Sequence, residues 1–151
     1  MENNSVNNDV LNDLIKIGND RIKGYETALS EVQPEDNDLK MIFAKMLTQS
    51  QQLKSDLAME LQASGKEVPD DTTTSGKIYR TWMDVKAMFT GNDRRAVLSN
   101  CEYGEDAAQK AYDSALQTDG LAANLRDLIS KQKAELKTSH NEIKAMRDAA
   151  Q

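Results

Sequence analysis

Several carboxylates and a single histidine in this chain could bind a metal ion. Glutamate and aspartate supply oxygen ligands and histidine supplies a nitrogen, a combination that suits divalent cations. Glu102 and Glu105 stand three residues apart, so a helix would carry both on one face. A buried pair of like charges there would recruit a cation or share a proton. The candidate ligands that fall beside or within apolar stripes are Glu26, Glu60, Glu102, Glu105, Asp106 and His140.

One histidine limits the metal chemistry that the chain could support. A di-iron carboxylate centre in a helical bundle takes a glutamate from each of two helices and a Glu-x-x-His motif from each of the other two. Lys137 stands three residues before His140, and Ala63 stands three residues after Glu60. Such a centre is therefore excluded. What the residues allow is one divalent cation in the bundle core, with Glu105 pointing inward, Glu60 opposite and His140 nearby.

The same acids could instead lie on solvated helix faces and pair with lysine or arginine, because charged side chains are rarely buried without a partner. His140 would then make one hydrogen bond near a helix boundary. The chain has no Gly-rich phosphate loop, no Cys-x-x-Cys, no nucleophile elbow and no histidine-based triad. We expect no catalytic residue and no cofactor-binding residue. No cofactor is expected, with one divalent metal ion as the alternative, and the missing motifs argue against an enzyme without deciding the question.

Composition excludes several classes of partner. The chain of 151 residues has a net charge of -6 and no basic block, which argues against nucleic acid. Its polar start lacks the features of a signal peptide, and no apolar run is long enough to cross a membrane. Cys101 is the one cysteine and cannot form an intramolecular disulfide. These features predict a soluble, cytoplasmic protein without membrane or nucleic-acid partners.

Apolar residues recur at three- and four-residue steps in four long segments, which is typical of amphipathic helices. The predicted helices span residues 9–30, 35–64, 93–117 and 120–149, with a shorter one at 76–89. Residues 1–8 lie before the first period and are predicted to be flexible. Residues 9–150 are predicted to form a single domain, since a chain of this length buries one adequate core.

The lengths of the connections predict how these helices are arranged. The first and last pairs are joined by short turns and should be antiparallel hairpins, whereas about 28 residues join the second long helix to the third. Such a connection can travel the length of the bundle, so the third helix would start where the second one starts. The predicted fold is all-α, a ferritin-like up-down-down-up four-helix bundle with a short crossover helix.

A repeated phrase supports two related hairpins. Gly24-Tyr25-Glu26-Thr27-Ala28-Leu29 is matched 87 residues later by Ala111-Tyr112-Asp113-Ser114-Ala115-Leu116. Gln49 and Gln132 fall on the apolar faces of the helices that follow. We expect the tyrosines and glutamines to form a symmetric hydrogen-bonded layer in the core, which would specify register.

Three further stretches are similar to an uncharacterised bacterial family of ferritin-like four-helix bundles, a domain of unknown function, over roughly residues 8–148. The resemblance implies the bundle fold and no established activity. The chain departs from the family pattern at Arg21, Tyr79 and Tyr103. The stretches that carry it are Glu60-Leu61-Gln62, Tyr79-Arg80-Thr81-Trp82-Met83-Asp84-Val85-Lys86 and Cys101-Glu102-Tyr103-Gly104-Glu105-Asp106, with Asp20, Gly24, Tyr25 and His140.

Two hypotheses for the function follow from these observations. The first is a non-catalytic structural or interaction module, since the helical pattern is complete and paired Glu-x-x-His motifs are absent. The alternative is a degenerate metal-carboxylate protein that binds a divalent cation in the bundle core. Met41 and Met59 lie outside the main apolar stripe and extend the apolar surface, so we expect a homodimer. No residue pattern identifies another protein partner.

Overall fold

A computed structural model of the protein describes residues 4–69 and 94–150. These residues form four α-helices and no β-strand: α1 (Asn4–Glu31), α2 (Asn37–Ala63), α3 (Arg94–Leu116) and α4 (Ala123–Ala149). The all-α prediction is confirmed for this part of the chain, which has the helices of a four-helix bundle. The predicted crossover helix at 76–89 lies outside the described residues.

Helices α1 and α2 form the first antiparallel pair. The hydroxyl of Ser64, just after α2, donates a hydrogen bond to Asn8 near the start of α1, with an O···O distance of 2.9 Å. Halfway along both helices, Arg21 contacts Ser50. The end of α2 therefore lies beside the start of α1.

Helices α3 and α4 pair in the same way. Glu102 in the first half of α3 contacts Arg147 near the end of α4, and Tyr112 near the end of α3 contacts Gln132 in the first half of α4. The two hairpins meet where α1 packs against α3. Arg21 of α1 contacts Glu105 of α3 at this junction.

Two apolar clusters fill the interior, and each takes residues from all four helices. One cluster includes Tyr25, Phe43, Leu98 and Ile143. The other includes Leu11, Leu57, Tyr112 and Leu125. Along α2 and α4, the buried Ser50 and Ser139 fall between the clusters, so polar side chains interrupt the apolar core near its middle. Arg21 contacts Glu105 at this same level of the bundle, between the two apolar clusters.

The first helix begins at Asn4, whereas the apolar period predicts a start at residue 9 and a flexible segment before it. Asn7 accepts a hydrogen bond from the backbone N–H of Ala122 at 3.0 Å, and Asn8 accepts the one from Ser64. These polar contacts fix the first turn of α1 against other parts of the chain. Because the contacts are polar, apolar periodicity gives no sign of them.

The other helix boundaries differ from the predicted ones by three residues or fewer, and turn geometry explains the differences. Pro34 lies in a turn closed by a hydrogen bond from Asp36 N to Gln33 O at 3.0 Å, and α2 begins after this turn at Asn37, two residues later than predicted. After α2, Gly65 has a φ angle of 82°, and Lys66 N donates to Leu61 O at 3.3 Å. This is the left-handed cap that glycine favours after a helix.

Within the part of the chain that the structure describes, no helix is both long enough and apolar enough to cross a membrane.

Candidate functional site

Arg21 on α1 and Glu105 on α3 form a buried ion pair in the bundle core. Their side chains are 3% and 0% exposed. Arg21 donates to Glu105 Oε2 from Nη2 at 2.7 Å and from Nε at 3.1 Å. The hydroxyl of Tyr25 also donates to this oxygen. A buried ion pair is tolerated when its charges are in good contact and further hydrogen bonds satisfy the remaining polar atoms.

The remaining donors of Arg21 reach α2. Nη1 donates to Ser50 Oγ at 2.7 Å, and Nη2 donates to Gln49 Oε1 at 2.8 Å. Nη2 also lies 3.7 Å from the sulfur of Met46, and the guanidinium carbon lies 5.3 Å from the ring centre of Tyr25. The guanidinium is therefore surrounded by partners on three helices, which offsets the cost of removing its charge from water.

Burial acts on the protonation of both groups that contact Glu105. For Arg21, burial alone would lower the pKa, but the neighbouring carboxylate offsets this and the pKa is raised above its ordinary value. For Tyr25, burial raises the pKa, and the charge of Glu105 raises it further. Arg21 therefore remains a cation, and Tyr25 remains a hydrogen-bond donor, throughout the neutral range.

The expected layer of tyrosines and glutamines forms in one hairpin. Tyr112 donates to Gln132 Oε1 at 2.7 Å, and Gln132 Nε2 donates to the backbone carbonyl of Leu53 at 3.0 Å. In the other hairpin Tyr25 binds Glu105, while Gln49 accepts hydrogen bonds from Arg21 and from Ser139 Oγ, the latter at 2.9 Å. The symmetry that the repeat predicts is broken because the ion pair lies between Tyr25 and Gln49.

A second cluster of functional groups lies between α3 and α4, closer to the surface. Glu102 and Asp106 stand one turn apart on α3, and both carboxylates approach Nε2 of His140 on α4. The distances from Nε2 are 3.2 Å to Glu102 Oε2 and 2.9 Å to Asp106 Oδ1. One ligand atom from each of the three residues lies within 4.8 Å of the others. The cluster therefore has the residue types and the spacing of a metal site.

The six predicted ligands divide into three groups. Glu102, Asp106 and His140 come together in the surface cluster. Glu105 points inward, as predicted, and binds Arg21 and Tyr25. Glu26 is exposed on α1 and Glu60 is half-buried on α2, and neither belongs to a cluster of metal-ligand type within the described residues.

Sequence reasoning missed Arg21, although a signal for it was present. Arg21 stands four residues before Tyr25 and seven after Leu14, so it lies on the buried stripe of α1. The apolar pattern instead predicts that its neighbour Ile22 faces the core, but Ile22 is only half-buried. A basic residue at an inward position, with a glutamate at an inward position of another helix, is the pattern that would have indicated the ion pair.

The chain matches the family described as Domain of unknown function (DUF2383) over residues 7–118. The matched segment contains Arg21, Glu102, Glu105 and Asp106. No functionally curated protein shows significant sequence similarity to the chain. Since the match spans well over half of the chain and agrees with the resemblance to a family without assigned function, the chain belongs to the DUF2383 family of domains of unknown function.

Proposed function

We propose that the protein is a non-catalytic, ferritin-like helical bundle that acts as an interaction module, and that its partner is a second copy of itself. The main support for a non-catalytic bundle is that Arg21 binds Glu105 in the bundle core. In helical bundles that carry out metal chemistry, core carboxylates bind the metal ions. Here the buried carboxylate of Glu105 is bound by a cation that the protein itself supplies.

The helix pairs support the ferritin-like arrangement. In addition to the two antiparallel hairpins, Arg94 at the start of α3 donates to Asp38 near the start of α2, with an Nη1···Oδ1 distance of 2.9 Å. Helices α2 and α3 therefore start at the same end of the bundle. This is the relation expected of an up-down-down-up bundle with a long connection between its hairpins.

A divalent cation in the core is the alternative function, and one atom favours it. Glu105 Oε1 is buried and accepts no hydrogen bond from any described residue, so it is the oxygen at which a core cation would bind. The charge of Glu105 is already balanced by Arg21, however, so a cation there would add an unbalanced buried charge. The closed ion pair is thus better supported than a core metal site.

Metal analysis separates these two functions. We expect the His140→Ala variant, purified without chelator, to contain no stoichiometric iron, manganese or zinc, because this change removes the imidazole ligand of the surface cluster and leaves Glu105 in the core unchanged. A stoichiometric ion in this variant would favour the core cation. The wild-type protein, analysed in parallel, shows what the surface cluster contributes.

The outer face of α2 supports an interaction with a second copy. Met41 and Met59 are 74% and 65% exposed. Between Met41 and Ala63, where every residue is described, Lys45 is the one charged side chain among the exposed positions. The exposed face of α4, by contrast, carries several acids and lysines. Exposed methionines on a face depleted of charge are typical of the core of a protein interface.

The spacing of the methionines fits a symmetric dimer. Met41 and Met59 are 18 residues apart, which is five helical turns, so they lie on the same side of α2 about 27 Å apart. In an antiparallel contact between two α2 helices, Met41 of one copy faces Met59 of the other. The same register brings Lys45 of one copy near Asp56 of the other. Each contact then occurs twice, as a two-fold interface requires.

The oligomeric mass tests this proposal. We expect light scattering to give a dimer mass for the wild-type protein, and a monomer mass for Met59→Glu, because the change puts a charge into both halves of the interface. Ala134→Glu places the same charge on the exposed face of α4 and should leave the dimer intact. A monomer mass for the wild type at every concentration, or a dimer that survives Met59→Glu, contradicts the proposal.

A further inference from the structure

We propose that Glu102, Asp106 and His140 bind one divalent transition-metal ion, with Zn²⁺ as the probe, on the α3–α4 side of the bundle. This site is distinct from the buried Arg21–Glu105 pair and from the α2 face. It takes its ligands from two helices, two oxygens from α3 and one imidazole nitrogen from α4.

Two of the three distances between the ligand atoms match those around a single ion, and the third is at most 4.8 Å. Ligand atoms that lie about 2.1 Å from one metal are about 3.0 Å apart at right angles and about 3.4 Å apart in a tetrahedron. Nε2 of His140 lies 2.9 Å from Asp106 Oδ1 and 3.2 Å from Glu102 Oε2. A small movement of these side chains would therefore place all three atoms around one ion.

Nε2 of His140 faces two carboxylates at once. A ring nitrogen carries at most one proton, so Nε2 can donate fully to only one of the two carboxylates that approach it. Neutral histidine protonated at Nδ1 would turn the lone pair of Nε2 toward both carboxylates, which is repulsive. A metal ion accepts electron pairs from all three atoms at once, and removes this conflict.

Neighbouring residues hold two of the ligands in orientations that suit a metal. Arg147 Nη1 donates to Glu102 Oε1 at 2.6 Å, which leaves Oε2 directed at His140. Asn141 Oδ1 lies 3.3 Å from His140 Nδ1, where it can accept the Nδ1 proton and leave Nε2 available to the metal. Such outer contacts are a regular part of metal sites because they fix the tautomer of histidine and the rotation of the carboxylate.

Burial and ligand type indicate what the site would bind. Glu102 and His140 are 17% and 16% exposed, whereas Asp106 is 55% exposed, so the site opens to solvent on one side. Water would complete the coordination there. One imidazole and two carboxylates suit Zn²⁺ and Mn²⁺, and the usual order of divalent affinities predicts that Zn²⁺ binds more tightly than Mn²⁺.

Calorimetric titration of the untagged, chelator-treated full chain with Zn²⁺ tests the proposal. We expect one ion per chain for the wild type, and affinities at least about ten-fold weaker for His140→Ala and for Asp106→Asn. Asp106 is exposed, so the Asp106→Asn variant should fold normally, and circular dichroism checks this for each variant.

The matched controls are Glu26→Gln and Glu60→Gln, which remove acids that the sequence equally suggests as ligands but that the structure leaves outside the cluster. Both should bind Zn²⁺ as the wild type does. The proposal is overturned if the wild type binds no Zn²⁺, if His140→Ala and Asp106→Asn bind it as tightly as the wild type, or if the control changes weaken binding as much as the ligand changes.

Discussion

Replacing Arg21 by methionine is expected to lower the free energy of unfolding by about 3–5 kcal/mol, the usual cost of leaving a buried charge without its partner. Methionine retains much of the aliphatic volume of arginine, so loss of packing contributes little. The variant leaves Glu105, which is 0% exposed, without a counter-charge. It also removes the hydrogen bonds to Ser50 and Gln49. Chemical denaturation at neutral pH measures the change.

A double-mutant cycle shows whether the loss comes from the charge. Glu105→Gln alone leaves Arg21 as the unpaired buried charge and should also be strongly destabilising. The combined Arg21→Met and Glu105→Gln variant contains neither charge, so it should be no less stable than Arg21→Met alone. Glu26→Gln, at an exposed position, is the control and should change stability by less than about 0.5 kcal/mol.

If the losses of unfolding free energy in the two single variants add up in the double variant, the two charges do not depend on each other. That result, or a neutral effect of Arg21→Met, would contradict the interpretation as a buried ion pair. A strongly destabilised single variant with a partly recovered double variant would support it. The same result would give Glu105 a structural role in the core that requires no metal. The role of the Arg21–Glu105 pair would then be to fix how α1, α2 and α3 fit together.

Helix patterns and the residue types of the surface cluster could be predicted from the sequence, because both depend on local spacing. Leu11, Leu57 and Leu125 follow the apolar period, and each is buried. Glu102 and Asp106 are one turn apart by helix geometry alone. Both acids contact His140 because α3 and α4 form a hairpin, and the short connection between these helices predicts that hairpin.

The pairing of buried polar groups could not be predicted in the same way. Tyr25 and Tyr112 occupy equivalent places in the repeat, yet one binds a carboxylate and the other an amide. The difference arises from Arg21, which brings Glu105 toward Tyr25 across the α1–α3 contact. The repeat predicts equivalent partners for the two tyrosines. Gln132 lies on the helix that follows Tyr112, whereas the partner of Tyr25 comes from α3, 80 residues away in the chain.

This difference predicts unequal effects for two identical changes. Tyr25→Phe removes a hydrogen bond to a charged acceptor and should cost about 2 kcal/mol, whereas Tyr112→Phe removes one to a neutral amide and should cost about 1 kcal/mol. Both variants keep the aromatic ring, including the contact of Tyr25 with Phe43 at a ring-centre distance of 5.9 Å. Tyr103→Phe, at an exposed position, is the control.

The pH dependence of stability provides a second test of Tyr25. Burial is the main reason that the pKa of this phenol is raised well above its ordinary value, and the charge of Glu105 raises the pKa further. A tyrosine with a raised pKa in the folded state contributes stability that is fully present below its unfolded pKa of about 10 and is lost as the pH rises through the folded value. The wild type should therefore lose stability above about pH 10 more steeply than Tyr25→Phe does.

Denaturation of both proteins at neutral and at alkaline pH measures this difference, and we expect the gap between their stabilities to narrow as the pH rises. Equal costs for Tyr25→Phe and Tyr112→Phe at neutral pH would mean that the charge of Glu105 adds nothing to the hydrogen bond it accepts. A gap that stays constant above pH 10 would mean that Tyr25 titrates alike in the folded and unfolded chains, which its complete burial against a carboxylate should prevent.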